Sequence, residues 1–183
     1  TLPQAIADGK VGMLFGIWWY ADWPLQGSVA QDPNAEWKAF PIPSVDGTPA
    51  KAYAEGLFLK NHNVVIKGFK HPEALIKLAN LTIDKAFGEN ADPEKYISKS
   101  DPSQGSSMWK YSAVWVEIGG KNIKKFQAIQ EALASNDTSK LDTDQRLAYE
   151  NVMKFKAGDS KFWVDNAIWG ENSPWVVVLN SRD

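Results

Sequence analysis

Short apolar runs alternate with polar and proline-rich stretches in the first half of the chain, and helical spacing dominates the second. Leu2, Ala5 and Ile6 share one face of a short helix, which Asp8-Gly9 ends because glycine accepts the left-handed conformation past a carboxyl cap. Val11-Gly12-Met13-Leu14-Phe15 is a continuous apolar run between glycines and predicts a strand buried on both faces. Residues 37–49 alternate and then fill with proline, so they predict a strand leaving the sheet into an extended connector; Pro41 and Pro43 cannot donate to a ladder. Gly56-Leu57-Phe58-Leu59 and Asn63-Val64-Val65-Ile66 predict two more strands. Pro72 opens a helix with Ala74, Leu75, Leu78 and Leu81 as its buried stripe.

Residues 88–112 are rich in Gly, Ser, Asp, Asn and Pro and read as a long surface connection with one short helix near Pro93. Ile123, Phe126, Ile129 and Leu133 are spaced for a helix that fades at Ser135-Asn136-Asp137. Asp142 and Gln145 form a capping-box pattern, followed by Ala148, Val152 and Phe155 on one face and by Gly158 as a stop. These two helices are expected to pair as a hairpin. Trp175-Val176-Val177-Val178-Leu179 predicts a last strand. Strand and helix alternating early, with helices late, predicts an α/β architecture in which helices cover a sheet.

The length of 183 residues and a hydrophobic content of 44% suit one compact unit with its own core. Twenty basic side chains nearly balance 22 acidic ones, so no global field favours nucleic acid or an anionic membrane, and a small organic ligand fits better. The absence of cysteine removes disulfides, thiolate catalysis and zinc-thiolate sites. Apolar runs stay far below the roughly 20 residues of a membrane helix. The sequence opens at Thr1-Leu2-Pro3 on a helix without a charged-then-apolar leader, and is read as a piece of a longer protein. Aromatic content changes the picture most: nine tryptophans stand beside five tyrosines and eight phenylalanines. Trp18, Trp19, Tyr20 and Trp23 follow the first predicted strand, and the ends of buried strands are where open α/β sheets place ligands.

Gly9-Lys10-Val11-Gly12-Met13 with Gly16 and Trp18-Trp19 resembles the strand-turn of family 1 extracellular solute-binding proteins of ABC importers. Phe40-Pro41-Ile42-Pro43 with Asp46-Gly47 resembles their crossover between lobes. Asn63 to Ile66 with His71-Pro72-Glu73-Ala74 is similar to a strand and helix of the family, and Lys121-Asn122, Asn136 to Leu141 and Phe155 to Gly170 are similar to its longer Gram-positive lipoprotein members. The resemblance covers almost the whole chain. It implies an α/β, periplasmic-binding-protein-like (type II) clamshell, here a single fragment, 1–183, of the carboxyl-terminal half, with parts of both lobes and the crossover near residues 40–50. It further implies a non-enzymatic receptor that captures an oligosaccharide outside the cell or in the periplasm and delivers it to a membrane permease. Attachment to the membrane would come only through a lipid anchor absent from this chain, and no cofactor, metal or nucleic acid is implied.

A pyranose presents a C–H patch on each face, which a flat indole removes from water while hydroxyls at the rim meet amides and carboxylates. By the resemblance, Trp18 or Trp19 is the stacking platform and Asp22 accepts hydroxyl hydrogens from the same turn. Adjacent residues on an extended backbone point to opposite faces, so at most one of the pair reaches a cleft if the strand continues; the alternative is that both are core. Trp23, before Pro24, suits ligand contact and packing equally. Trp109 and Tyr111 follow the polar loop and either clamp ligand or anchor the loop. Glu55 is a candidate hydroxyl acceptor beside a predicted strand. Trp37, Trp163 and Trp175 read mainly as packing, with Trp169 kept as a cleft candidate because Gly170 follows it. Enzymatic readings are poor: no pair of carboxylates stands in a recognisable arrangement, and His62 and His71 lie in a turn and at a helix start. The competing function is a non-catalytic carbohydrate-binding module of a secreted polysaccharide-degrading enzyme, a class usually built as a β-sandwich, against which the periodic helices argue.

Overall fold

Helix starts and stops are the strongest local instructions in this chain, and they decide the architecture. The computed structural model describes residues 1–48, 62–87, 113–116 and 119–180. The chain divides into two compact units, Thr1–Ala52 with Phe126–Asp183, and Tyr53–Lys125. In chain order the helices are α1 (Leu2–Ala7), a 3₁₀ turn (Trp18–Ala21), α2 (Gln26–Gln31), α3 (Glu73–Phe87), α4 (Lys121–Ser135), α5 (Thr143–Lys156), a second 3₁₀ turn (Ser160–Phe162), α6 (Trp163–Trp169) and α7 (Pro174–Asn180). The division into units falls within α4.

Local chemistry fixes these ends. Past α1, Gly9 takes φ 69 and its N–H donates to the Ile6 carbonyl, while Lys10 donates to Ala5, so the last carbonyls of the helix are satisfied. Asn136, at φ 57, ends α4 in the same left-handed region. α5 carries the predicted capping box: the Asp142 carboxylate accepts from the Gln145 N–H at 2.8 Å, and the Asp142 N–H donates to Gln145 Oε1 at 3.1 Å. Beyond Lys156 the chain turns away at Gly158, φ 103.

The core of the larger unit gathers Ile6 of α1, Ala21, Phe126 and Ile129 of α4, Ala148 and Val152 of α5, Val164, Ile168 and Trp169 of α6, and Trp175 of α7. Burying a side chain such as Ile129, fully enclosed, contributes roughly 1.5–3 kcal/mol. α1 packs on α2. α5 packs on α6 and on the 3₁₀ turn before it, so its main partner is α6 and not α4, contrary to the predicted hairpin. The cause lies at residues 157–162, where Gly158 and the 3₁₀ turn lead the chain back onto α5.

The predicted α/β clamshell is corrected by this architecture: among the described residues every regular element is a helix, and there is no strand. Residues 11–15 form no strand and bend at Gly12, and Met13 and Phe15 are 80% and 73% exposed, so the run is buried on neither face. Apolarity alone does not make a strand, because its N–H and C=O groups need a neighbouring chain. Residues 63–66 form no strand either and are largely exposed. There the Asn63 carboxamide, not a strand, pairs with Trp115, donating to its carbonyl at 3.1 Å and accepting from its N–H at 3.2 Å. Residues 37–46 run without regular structure, Phe40, Ile42 and Val45 facing outward. The predicted strand at 175–179 is helix α7, because Ser173 and Pro174 form a start signal: the Ser173 hydroxyl accepts from the Trp175 N–H at 3.2 Å, and proline loses nothing at a first helical position. α3 forms as predicted, yet its stripe is not sealed. Ala74 and Leu75 are half-buried, whereas Leu78 and Leu81 are exposed along with Ile76 and Ile83, since apolar residues surround the helix on several sides. The predicted strand at residues 56–59 lies outside the described residues.

Candidate functional site

Ile17 is the last extended residue of the first segment, at φ −103 and ψ 164, and the next four residues coil into the 3₁₀ turn in place of a continuing strand. This changes the geometry of the tryptophan pair. Three residues per turn separate neighbours by about 120° and bring residues three apart into register, so Trp18 and Trp19 diverge while Asp22 falls on the side of Trp19. Coiling continues through Trp23, with the Asp22 and Trp23 N–H groups both directed to the Trp19 carbonyl, at 3.0 and 3.5 Å, and Leu25 donating to Tyr20 at 3.0 Å.

Trp18 turns inward. Its ring centroid lies 5.0 Å from that of Trp175 and 6.1 Å from that of Trp169, with interplanar angles of 39° and 49°. Trp169 and Trp175 are both buried, so the half-buried Trp18 rests on core. Offset, tilted indoles in such a group attract one another through their quadrupoles in addition to the area they bury. Among the described residues the buried Trp175 indole N–H has no acceptor, and the ring is held there by packing.

Trp19 turns outward, 38% exposed, with its ring centroid 5.5 Å from that of Tyr20 in a T-shaped arrangement. Tyr20 in turn lies over Gly16, where an added Cβ would collide with the phenol ring; the glycine is required by that approach. Trp23 is 59% exposed and Asp22 is half-buried. Trp19 and Trp23 are thus the exposed indoles of the coiled segment 18–23, with the half-buried Asp22 between them in sequence.

The support behind this segment is assembled from distant parts of the sequence. Gln130 Nε2 of α4 donates to the Trp169 carbonyl at 2.8 Å. Asn151 of α5 and Asp165 of α6 are both buried, and Asn151 Nδ2 donates to Asp165 Oδ2 at 3.0 Å. These contacts fix α6, and with it the indole on which Trp18 rests. On the other side of the turn, Trp37 Nε1 donates to the Ser28 hydroxyl at 2.7 Å and Ser28 donates to the Leu25 carbonyl at 2.9 Å, tying the following extended segment to α2.

Of the candidates from sequence, Trp19 and Trp23 are exposed and Asp22 is half-buried on the coiled segment, and Trp18 and Trp169 belong to the support with Trp175. Trp163 is half-buried at the start of α6. Glu55, Trp109 and Tyr111 lie outside the described residues. Asn151, Asp165 and Gln130 were missed. Asn151 interrupts the stripe of Ala148, Val152 and Phe155, and Asp165 sits between Val164 and Ile168, so a polar residue inside an apolar stripe was the available sign. Comparison with protein-family models, with curated proteins and with solved structures finds no match for this chain.

Proposed function

We propose that this chain captures an oligosaccharide, stacking sugar rings on Trp19 and Trp23 while Asp22 accepts hydroxyl hydrogens between them. The observation that carries this reading is the exposed tryptophan pair itself. Large exposed aromatics are costly to leave in water, and here two of them stand on either side of Asp22 in the sequence, in a short coiled segment whose Trp18 packs on the buried Trp169 and Trp175. The arrangement suits a ligand with flat C–H faces and a hydroxyl rim. The resemblance of residues 9–19 and 71–74 to solute-binding proteins supports placing this capture step outside the cell or in the periplasm, ahead of a membrane permease, with no covalent chemistry on the sugar.

The test is a glycan array probed with the intact chain, followed by titration of the best saccharide against single variants. Two partly exposed stacking contacts are worth roughly 1.5–3 kcal/mol each, so Trp19→Ala and Trp23→Ala should each weaken binding about tenfold or more. Unchanged affinity in both, or release of new reducing ends from a polysaccharide, overturns the reading.

A further inference from the structure

α1 and α2 meet closely at Ala7 and Gly27, where an added Cβ would stand 3.5 Å from the Ala7 Cβ, and beside that contact they enclose an open groove of about 470 Å³. Its polar lining comes from both helices and the segment after α2: Gln4, Asp8, Ser28, Gln31 and Asp32. Ser28 is buried and already engaged by Trp37 and Leu25, so it shapes the floor.

The charges in the groove are largely spoken for. Asp8 accepts from Gln4 Nε2 at 2.8 Å and pairs with Lys10 Nζ at 2.9 Å, and these contacts, the Gln4 bond foremost, hold its carboxyl below the ordinary range. Asp32 uses Oδ1 to accept from the N–H and the carboxamide of Asn34, at 2.9 and 3.3 Å. Gln4 and Gln31 contribute carboxamides that both donate and accept. An anion is disfavoured by two carboxylates, and an apolar ligand by the polar lining. A simple cation would have no use for the carboxamide donors. Hydroxyl groups, each donor and acceptor at once, match this mixture.

We infer that the groove between α1 and α2 is a second saccharide position, which takes one or two sugar rings by edge-on hydrogen bonding without an aromatic platform. Its volume lies within the range of small-ligand sites, roughly 300–1,000 Å³. The inference rests on the reading that this chain binds carbohydrate, and one experiment separates the two.

Proton–nitrogen correlation spectra of the intact, labelled chain resolve the side-chain carboxamides of Gln4 and Gln31 and the indole N–H groups of Trp19 and Trp23 together. The chain is titrated with glucose, galactose, mannose and xylose at millimolar concentrations, and separately with putrescine. The carboxamide signals are expected to move saturably with at least one sugar and not with putrescine. Gln31→Ala and Asp32→Asn, both at exposed positions, should weaken that response about threefold to tenfold, the loss of one hydrogen bond, while the backbone spectrum and the indole response stay as they were. Indoles moving while the carboxamides stay still would overturn the groove and leave the aromatic face standing. Carboxamides moving alone would sustain the groove and count against the aromatic face. A response to putrescine in place of sugar would overturn the ligand class, and silence from both sets would overturn both sites.

Discussion

Replacing Trp18 by alanine separates the support from the face it carries. Removing a buried Phe or Trp side chain costs about 3–5 kcal/mol in a closed core. Trp18 is half-buried, so part of its surface is already hydrated, but it loses two ring contacts, to Trp175 at 5.0 Å and Trp169 at 6.1 Å. The expected cost is therefore about 2–3 kcal/mol. Urea unfolding followed by far-ultraviolet circular dichroism reads this directly: with a slope near 2 kcal/mol per molar urea, the midpoint falls by about 1–1.5 M. Trp19→Ala, at a position that is 38% exposed, should lose less than about 1 kcal/mol in the same assay. The reasoning fails if the Trp18→Ala midpoint matches wild type while sugar affinity collapses, because Trp18 would then be a platform and not a support.

Two further outcomes test local features. Asp142→Ala removes the acceptor of the α5 capping box and should cost about 1 kcal/mol by the same unfolding assay. The exposed Asp46 carboxyl is lowered from its ordinary 3.8 to about 2, chiefly by the Ser44 hydroxyl and then by Thr48. A depressed folded value means that its stabilising contribution is present above the ordinary carboxylate range and is lost as pH falls through about 2. Ser44→Ala should raise the Asp46 midpoint towards its ordinary value in a carboxyl-carbon NMR titration; an unmoved midpoint would show that Ser44 is not the cause.

What was legible in the sequence was local. Asp142, Gln145 and Gly158 mark both ends of α5 within a few residues, and Asp8-Gly9 ends α1 where predicted, because caps are satisfied by near neighbours. Strands were misread because their partners are not local. Residues 11–15 and 63–66 carry the composition of buried strands, but no ladder forms at either among the described residues, and Asn63 meets the Trp115 backbone through its side chain instead. At 175–179 three valines suggested a strand, and Ser173-Pro174 outweighed them by starting a helix. The aromatic face was visible as a cluster, while its inward and outward members were not. That assignment turned on whether residues 18–21 are extended or coiled, which adjacent tryptophans alone do not disclose.

The most direct trial of the sugar-capture account is calorimetric titration of the Trp19→Ala/Trp23→Ala double variant with the saccharide that binds the wild-type chain best, alongside its urea midpoint. Heat of binding should vanish or weaken about a hundredfold, as two stacking contacts are lost, while the midpoint shifts little. A double variant that binds like wild type with its fold intact would contradict the account, since the outward indoles would then have no part in holding the ligand.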